Sequence, residues 1–148
     1  MHRWLAPLIG LGLLLAAAPA AQAVSNRSFD FRTPKWTNEG TAHTWGMASF
    51  HSAKRVVVTG RINDECPADG YGAYLDVVVN QEGGIRSLYT AKDAGGCKDK
   101  DGNAYSFDVA SGRKILSLTL RLKECDTSSG ICGGYGWEKV VSIDNPLS

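Results

Sequence analysis

Acidic residues two apart in front of a glycine suggest a calcium loop, and the stretch CKDKDGNAYSFD, from Cys97 to Asp108, has that spacing. An EF-type loop sets oxygen ligands at positions 1, 3 and 5, glycine at 6 and a bidentate acid at 12. With Gly102 at the glycine position, Asp99, Asp101 and Asp108 fall correctly, but Cys97 takes the first ligand position, where a hard cation meets sulfur. Starting the loop at Asp99 instead puts Ala104 where glycine belongs. Lys98 and Lys100 further dilute the negative charge. The stretch reads better as a turn: Asp101-Gly102 ahead of alternating Tyr105, Phe107 and Val109 is a hairpin signal, since Asp and Gly both tolerate the positive φ of a type I′ turn. No metal and no cofactor is expected.

A second acidic group lies in NDECPADGYGAY, where Asp64, Glu65 and Asp69 crowd a loop held by Cys66 and Pro67. General acid–base work needs two carboxylates facing each other in different environments, whereas Asp64 and Glu65 are neighbours that point apart. The expectation is a surface loop. Tyr71 and Tyr74, which follow it, have the flat apolar face and polar tip that suit a binding rim. His43 and His51 stand in no motif that names a serine or cysteine nucleophile, and GxSxG is absent. The chain therefore reads as a non-enzyme.

The four cysteines, Cys66, Cys97, Cys125 and Cys132, form no CxxC, and no HxxxH pair accompanies them, so the spacing does not suggest zinc. Three disulfide pairings exist on paper. The short polar loop CDTSSGIC favours Cys125–Cys132, which leaves Cys66–Cys97 as a long-range staple. Aromatic residues then become the main candidates for partner binding: Phe29, Phe31 and Trp36 near the amino end, Tyr71 and Tyr74, and Tyr135 and Trp137 at the start of the last strand. Each of these types also fills cores.

These side chains need a scaffold, and the sequence supplies short runs of period two. Arg55 to Asn63 puts Val56, Val58, Gly60 and Ile62 on one face, and Tyr74 to Asn80 does the same with Leu75, Val77 and Val79. In Ile115 to Lys123, Leu116, Leu118, Leu120 and Leu122 alternate with polar residues, as in a strand with one buried and one wet face. Ile85 to Thr90 after Gly83-Gly84, Ala104 to Val109, and Trp137 to Ile143 complete the series. The fold expected is all-β, an antiparallel β-sandwich or jelly roll of about seven to eight short strands.

Val24 to Thr44 reads as polar and loop-like. Within it, Ser28 to Arg32 alternates like a strand, either the first of the domain's own sheet or an arm that pairs with another protein's sheet edge. Asn26-Arg27-Ser28 also matches a glycosylation acceptor. The expected organisation is an export signal over 1–23, an arm or first strand over 24–44 and one sandwich over 45–148.

The signal is read from the basic start Met1-His2-Arg3, the apolar run Leu8 to Ala18 and the cleavage site Ala21-Gln22-Ala23, which together predict a secreted protein. Loss of Arg3 takes the balance from 16 basic against 15 acidic residues to 15 against 15. A mature net charge of zero with interspersed signs carries no footprint for nucleic acid or an anionic membrane.

In its export signal, small size, cysteine complement and glycine-rich sandwich pattern, the chain resembles small secreted proteins of high-GC Gram-positive bacteria. Among these it is similar in organisation to the adaptor subunit of the umbrella toxin particles. That resemblance implies an extracellular assembly with protein partners, namely a large toxin polypeptide and a lectin subunit. Two other readings remain: a carbohydrate-binding module with Tyr71, Tyr74, Tyr135 and Trp137 as platform, and an enzyme inhibitor presenting the loop from Cys125 to Cys132.

Overall fold

The computed structural model describes residues 23–34, 40–65, 71–95, 101–126 and 139–148. Eight strands run through them: β1 (Ser25–Arg32), β2 (Thr41–Ser52), β3 (Arg55–Glu65), β4 (Tyr71–Gln81), β5 (Arg86–Asp93), β6 (Asn103–Ala110), β7 (Ile115–Asp126) and β8 (Lys139–Asp144). They form two four-stranded sheets, sheet A in the order β1-β2-β3-β6 and sheet B in the order β5-β4-β7-β8. Every strand pair is antiparallel.

The alternation in the sequence sets which face is buried. Val56, Val58 and Ile62 of β3, Leu75, Val77 and Val79 of β4, and Leu118, Leu120 and Leu122 of β7 meet in one core cluster with Phe29, Phe50, Val109 and Ile143. Burying a side chain of this kind contributes about 1.5–3 kcal/mol each relative to leaving it in water, and this term holds the two sheets face to face.

Three local expectations are corrected. The first concerns β2, which begins at Thr41 inside the stretch read as loop and runs for 12 residues. Its inward row is Ala42, Thr44, Gly46, Ala48 and Phe50, too small and polar to show as hydrophobic alternation. The buried Thr44 is made tolerable by hydrogen bonds, its hydroxyl donating to the Arg61 carbonyl at 2.9 Å and lying 3.0 Å from the Tyr105 hydroxyl.

The second concerns Leu116, which is 44% exposed, while Ile115 takes its place in the core. Asn80 pairs with Ser117 but Gln81 pairs with Ile115, so β7 carries one extra residue there. Such a bulge reverses the facing of everything beyond it. The freed carbonyls of Ile115 and Leu116 accept from the side chain and backbone N–H of Asn145, at 2.8 and 2.9 Å.

The third concerns Asp101-Gly102, which turns the chain without making a hairpin. Gly102 has φ of 64°, but no described non-glycine residue has positive φ, so Asp101 does not meet the type I′ requirement. The strand that follows, β6, pairs with β3 of sheet A, whereas the preceding β5 belongs to sheet B. The turn is a crossover. Gly83 and Gly84, with φ of 81° and 76°, do make the expected hairpin between β4 and β5. Likewise β7 and β8 pair with each other, and their connection lies outside the described residues.

Candidate functional site

The two long flanks of the sandwich differ. Along one, edge strand β5 meets edge strand β6: the rings of Tyr89 and Phe107 approach to 5.5 Å, and the Asn103 side chain donates to the Lys92 carbonyl and to the Asp93 carboxylate at 3.3 and 3.2 Å. Asp93, itself buried, also accepts from the backbone N–H groups of Asp64 and Gly95. These contacts seal that flank.

Along the other flank, edge strand β1 lies opposite edge strand β8, and a groove of about 580 Å³ runs between them. Phe29, Phe31, Val141 and Ile143 supply its apolar lining, with Arg27, Asp30 and Asp144 as charged lining residues. Ser25–Arg32 is thus the first strand of the domain's own sheet, in register with β2 from Ser25↔Phe50 to Arg32↔His43.

The sequence candidates divide accordingly. Phe29, only 7% exposed, belongs to the core cluster; Phe31, two residues on and on the same face, packs beside it with ring centroids 6.2 Å apart. Tyr71 is 36% exposed, and Tyr74 is half-buried. Three positions apart in one regular strand, they face opposite sides of sheet B, so the structure does not bring them onto one platform. Trp36, Tyr135 and Trp137 lie outside the described residues, as do Cys66, Cys97, Cys132 and Asp99. Cys125 is buried and disulfide-bonded, and all three of its candidate partners fall in that undescribed set. Asp64 and Glu65 do point apart: Asp64 is turned inward and buried, Glu65 outward.

The outer face of sheet A holds a polar network that sequence reasoning did not single out. Arg32 of β1 grips Glu65 of β3 through two hydrogen bonds of 2.9 Å, and the Thr41 hydroxyl donates to the same carboxylate at 3.1 Å. This pairing with Arg32, more than the opposing effect of partial burial, holds the Glu65 carboxyl below its ordinary range and raises the Arg32 guanidinium in turn. His43 sits between, with Nε2 2.8 Å from Asp30 and Nδ1 3.1 Å from Glu65. A neutral imidazole has one N–H, so only the imidazolium donates to both carboxylates at once. The two carboxylates address different ring nitrogens and share no point where a cation would sit; among the described residues no cluster suited to a metal is found.

His43 also packs against Trp45, ring centroids 4.5 Å apart and planes tilted by 34°. The signal for this row was present: Thr41, His43, Trp45 and Met47 alternate with Ala42, Thr44, Gly46 and Ala48. Further along the face Arg55 pairs with Asp108 through bonds of 3.1 and 2.8 Å, which lowers the Asp108 carboxyl.

Gly46 and Gly60 stand opposite each other at the middle of sheet A, flanked in register by Phe29 and Tyr105. A Cβ on Gly46 would lie 2.1 Å from the Thr59 carbonyl oxygen and 2.9 Å from the Phe29 ring, and one on Gly60 2.4 Å from the Trp45 carbonyl oxygen and 2.6 Å from the Tyr105 hydroxyl. Rings from both edge strands therefore cover a glycine pair that has no side chains of its own.

These features define a class of protein by architecture: an antiparallel β-sandwich with one flank closed by side-chain contacts and, among the described residues, a groove along the other. Set against known proteins, the chain matches no family model, no curated protein and no solved structure.

Proposed function

We propose that this protein is a secreted, non-catalytic interaction module, an adaptor that joins protein partners in an extracellular assembly of the toxin-particle kind. The observation that carries this reading is the asymmetry of the flanks. Where β5 meets β6, aromatic packing closes the sandwich; where β1 faces β8, a groove with Phe29, Phe31, Val141 and Ile143 as its apolar part and a charged rim runs beside two edge strands. An edge strand offers unpaired backbone N–H and C=O groups to an incoming chain, and pockets beside it select side chains. The eight residues of β1 give an edge roughly 26 Å long at about 3.3 Å per residue. That is enough for a partner segment of similar length.

The test is capture of partners from culture supernatant on immobilised protein, identification by mass spectrometry, and calorimetry with each purified partner. Wild type should bind at least one secreted polypeptide, and Phe31→Asp with Val141→Asp should abolish binding while the folded state persists by circular dichroism. Recovery of no stable partner, or undiminished binding by the folded double variant, would overturn the proposal.

A further inference from the structure

The outer face of sheet A arranges its side chains in cross-strand rows. Asp30, Trp45 and Arg61 are register partners in turn across β1, β2 and β3, and so are Ser28, Met47 and Thr59 in the next row. Together they line a basin of about 660 Å³ that also reaches Gly46 and Gly60. This is well within the size of small-ligand sites. It adjoins the groove between β1 and β8, sharing Ser28, Phe29 and Asp30 with it, while Trp45, Arg61, Met47 and Thr59 line the basin and not the groove.

Three contacts fix the polar and aromatic groups of the first row. His43, held between Asp30 and Glu65, packs against the indole of Trp45 at a tilt of 34° and supports it from one side. Nη1 of Arg61 donates to the carbonyl oxygens of Asp101 and Gly102 at 2.7 and 3.0 Å, which anchors the guanidinium and leaves Nη2 and Nε to donate elsewhere. Asp30 uses Oδ1 for His43, and its side chain remains 67% exposed.

We propose that this basin binds a neutral saccharide. An indole offers a flat apolar surface to the C–H face of a pyranose ring. Asp30 on one side accepts hydroxyl hydrogens, and Arg61 on the other donates to hydroxyl oxygens; the Ser28 and Thr59 hydroxyls can do either. Strands about 4.8 Å apart place Asp30 and Arg61 about 10 Å from each other at the backbone, with Trp45 between them, enough to seat one sugar ring. The opposite charges of Asp30 and Arg61 cancel, so a phosphate or sulfate drawn to Arg61 would be repelled by Asp30. A neutral polyol meets no such conflict.

The experiment titrates soluble cello-, chito- and manno-oligosaccharides separately into the isotopically labelled full mature chain and follows the Trp45 indole N–H resonance. At least one series should move it saturably. Asp30→Asn and Arg61→Gln should each weaken that binding about tenfold, and Trp45→Ala should abolish it. If Trp45→Ala does not fold, Trp45→Phe takes its place with a weakening of the same order. The Phe31→Asp, Val141→Asp protein should bind sugar as wild type does, which separates this site from the groove. No saturable shift with any of the three series, or unchanged affinity in the folded Trp45 and Asp30 variants, would overturn the proposal.

Discussion

Tyr89 of β5 and Phe107 of β6 hold their ring centroids 5.5 Å apart and so fasten the edge of one sheet to the edge of the other. Phe107 also stacks on Tyr105 at 5.6 Å, which carries the contact back to the centre of sheet A. Phe107→Ala should therefore open the sealed flank. With the ring only partly buried, the loss should be about 2 kcal/mol, below that of a full core phenylalanine. Chemical denaturation measures it, and binding of a hydrophobic dye to the folded variant should rise.

Glycine at position 46 is a steric requirement. Any Cβ there meets the backbone of Thr59 at 2.1 Å and of Gly60 at 2.7 Å, and backbone in the middle of a sheet cannot move aside. Gly46→Ala should cost more than about 3 kcal/mol or prevent folding. Gly112→Ala, where a Cβ meets nothing within 4 Å, should change stability by less than about 0.5 kcal/mol. Thermal melts of the two proteins side by side decide the point.

The clamp between Arg32 and Glu65 should give the stability an acid-sensitive component. Glu65 is held below its ordinary value of 4.5, chiefly by the hydrogen bonds from Arg32. Its contribution is then present above that value and lost as pH falls through the lower value of the folded state. Both side chains are part-exposed, so Arg32→Gln should destabilise by only about 0.5–1 kcal/mol at neutral pH. Unfolding curves recorded across the acid range should show that difference shrinking once Glu65 is protonated.

At the alkaline end Tyr105 should dominate. Burial pushes its hydroxyl up to about 12, against the smaller opposing effect of the bond with Thr44. A raised value in the folded state means stability that is complete below the ordinary tyrosine value of 10 and falls as pH climbs from there towards 12. Ultraviolet titration should show one tyrosine ionising late or only with unfolding. Tyr105→Phe should remove that alkaline loss at a cost of about 1 kcal/mol from the missing bond to Thr44.

Much of the scaffold was legible because β3, β4 and β7 alternate cleanly, and a buried row of Val, Leu and Ile admits few other arrangements. Strand β2 hid itself because Ala42, Thr44, Gly46 and Ala48 are small where they face the core; their place is filled by the rings of Phe29 and Tyr105, contributed from other strands. The bulge at Leu116 was equally hidden, since it exists only in the register between β7 and β4. The candidate sites were read in part. Phe31 was singled out as an aromatic, but the groove beside it depends on which strands become edges, a property of topology alone. The row of Asp30, Trp45 and Arg61 draws on three strands and has no spacing in the chain that would announce it.

The unequal flanks also determine how the sandwich can move. With Tyr89, Phe107 and Asn103 binding β5 to β6 like the spine of a book, and no comparable clasp described between β1 and β8, any parting of the two sheets is smallest at the spine and widest at the fore-edge. A partner seated between β1 and β8 would then grip the molecule at its point of greatest leverage. By holding those margins together, it would stiffen both sheets from the side where the described residues form no clasp like that of Tyr89, Phe107 and Asn103.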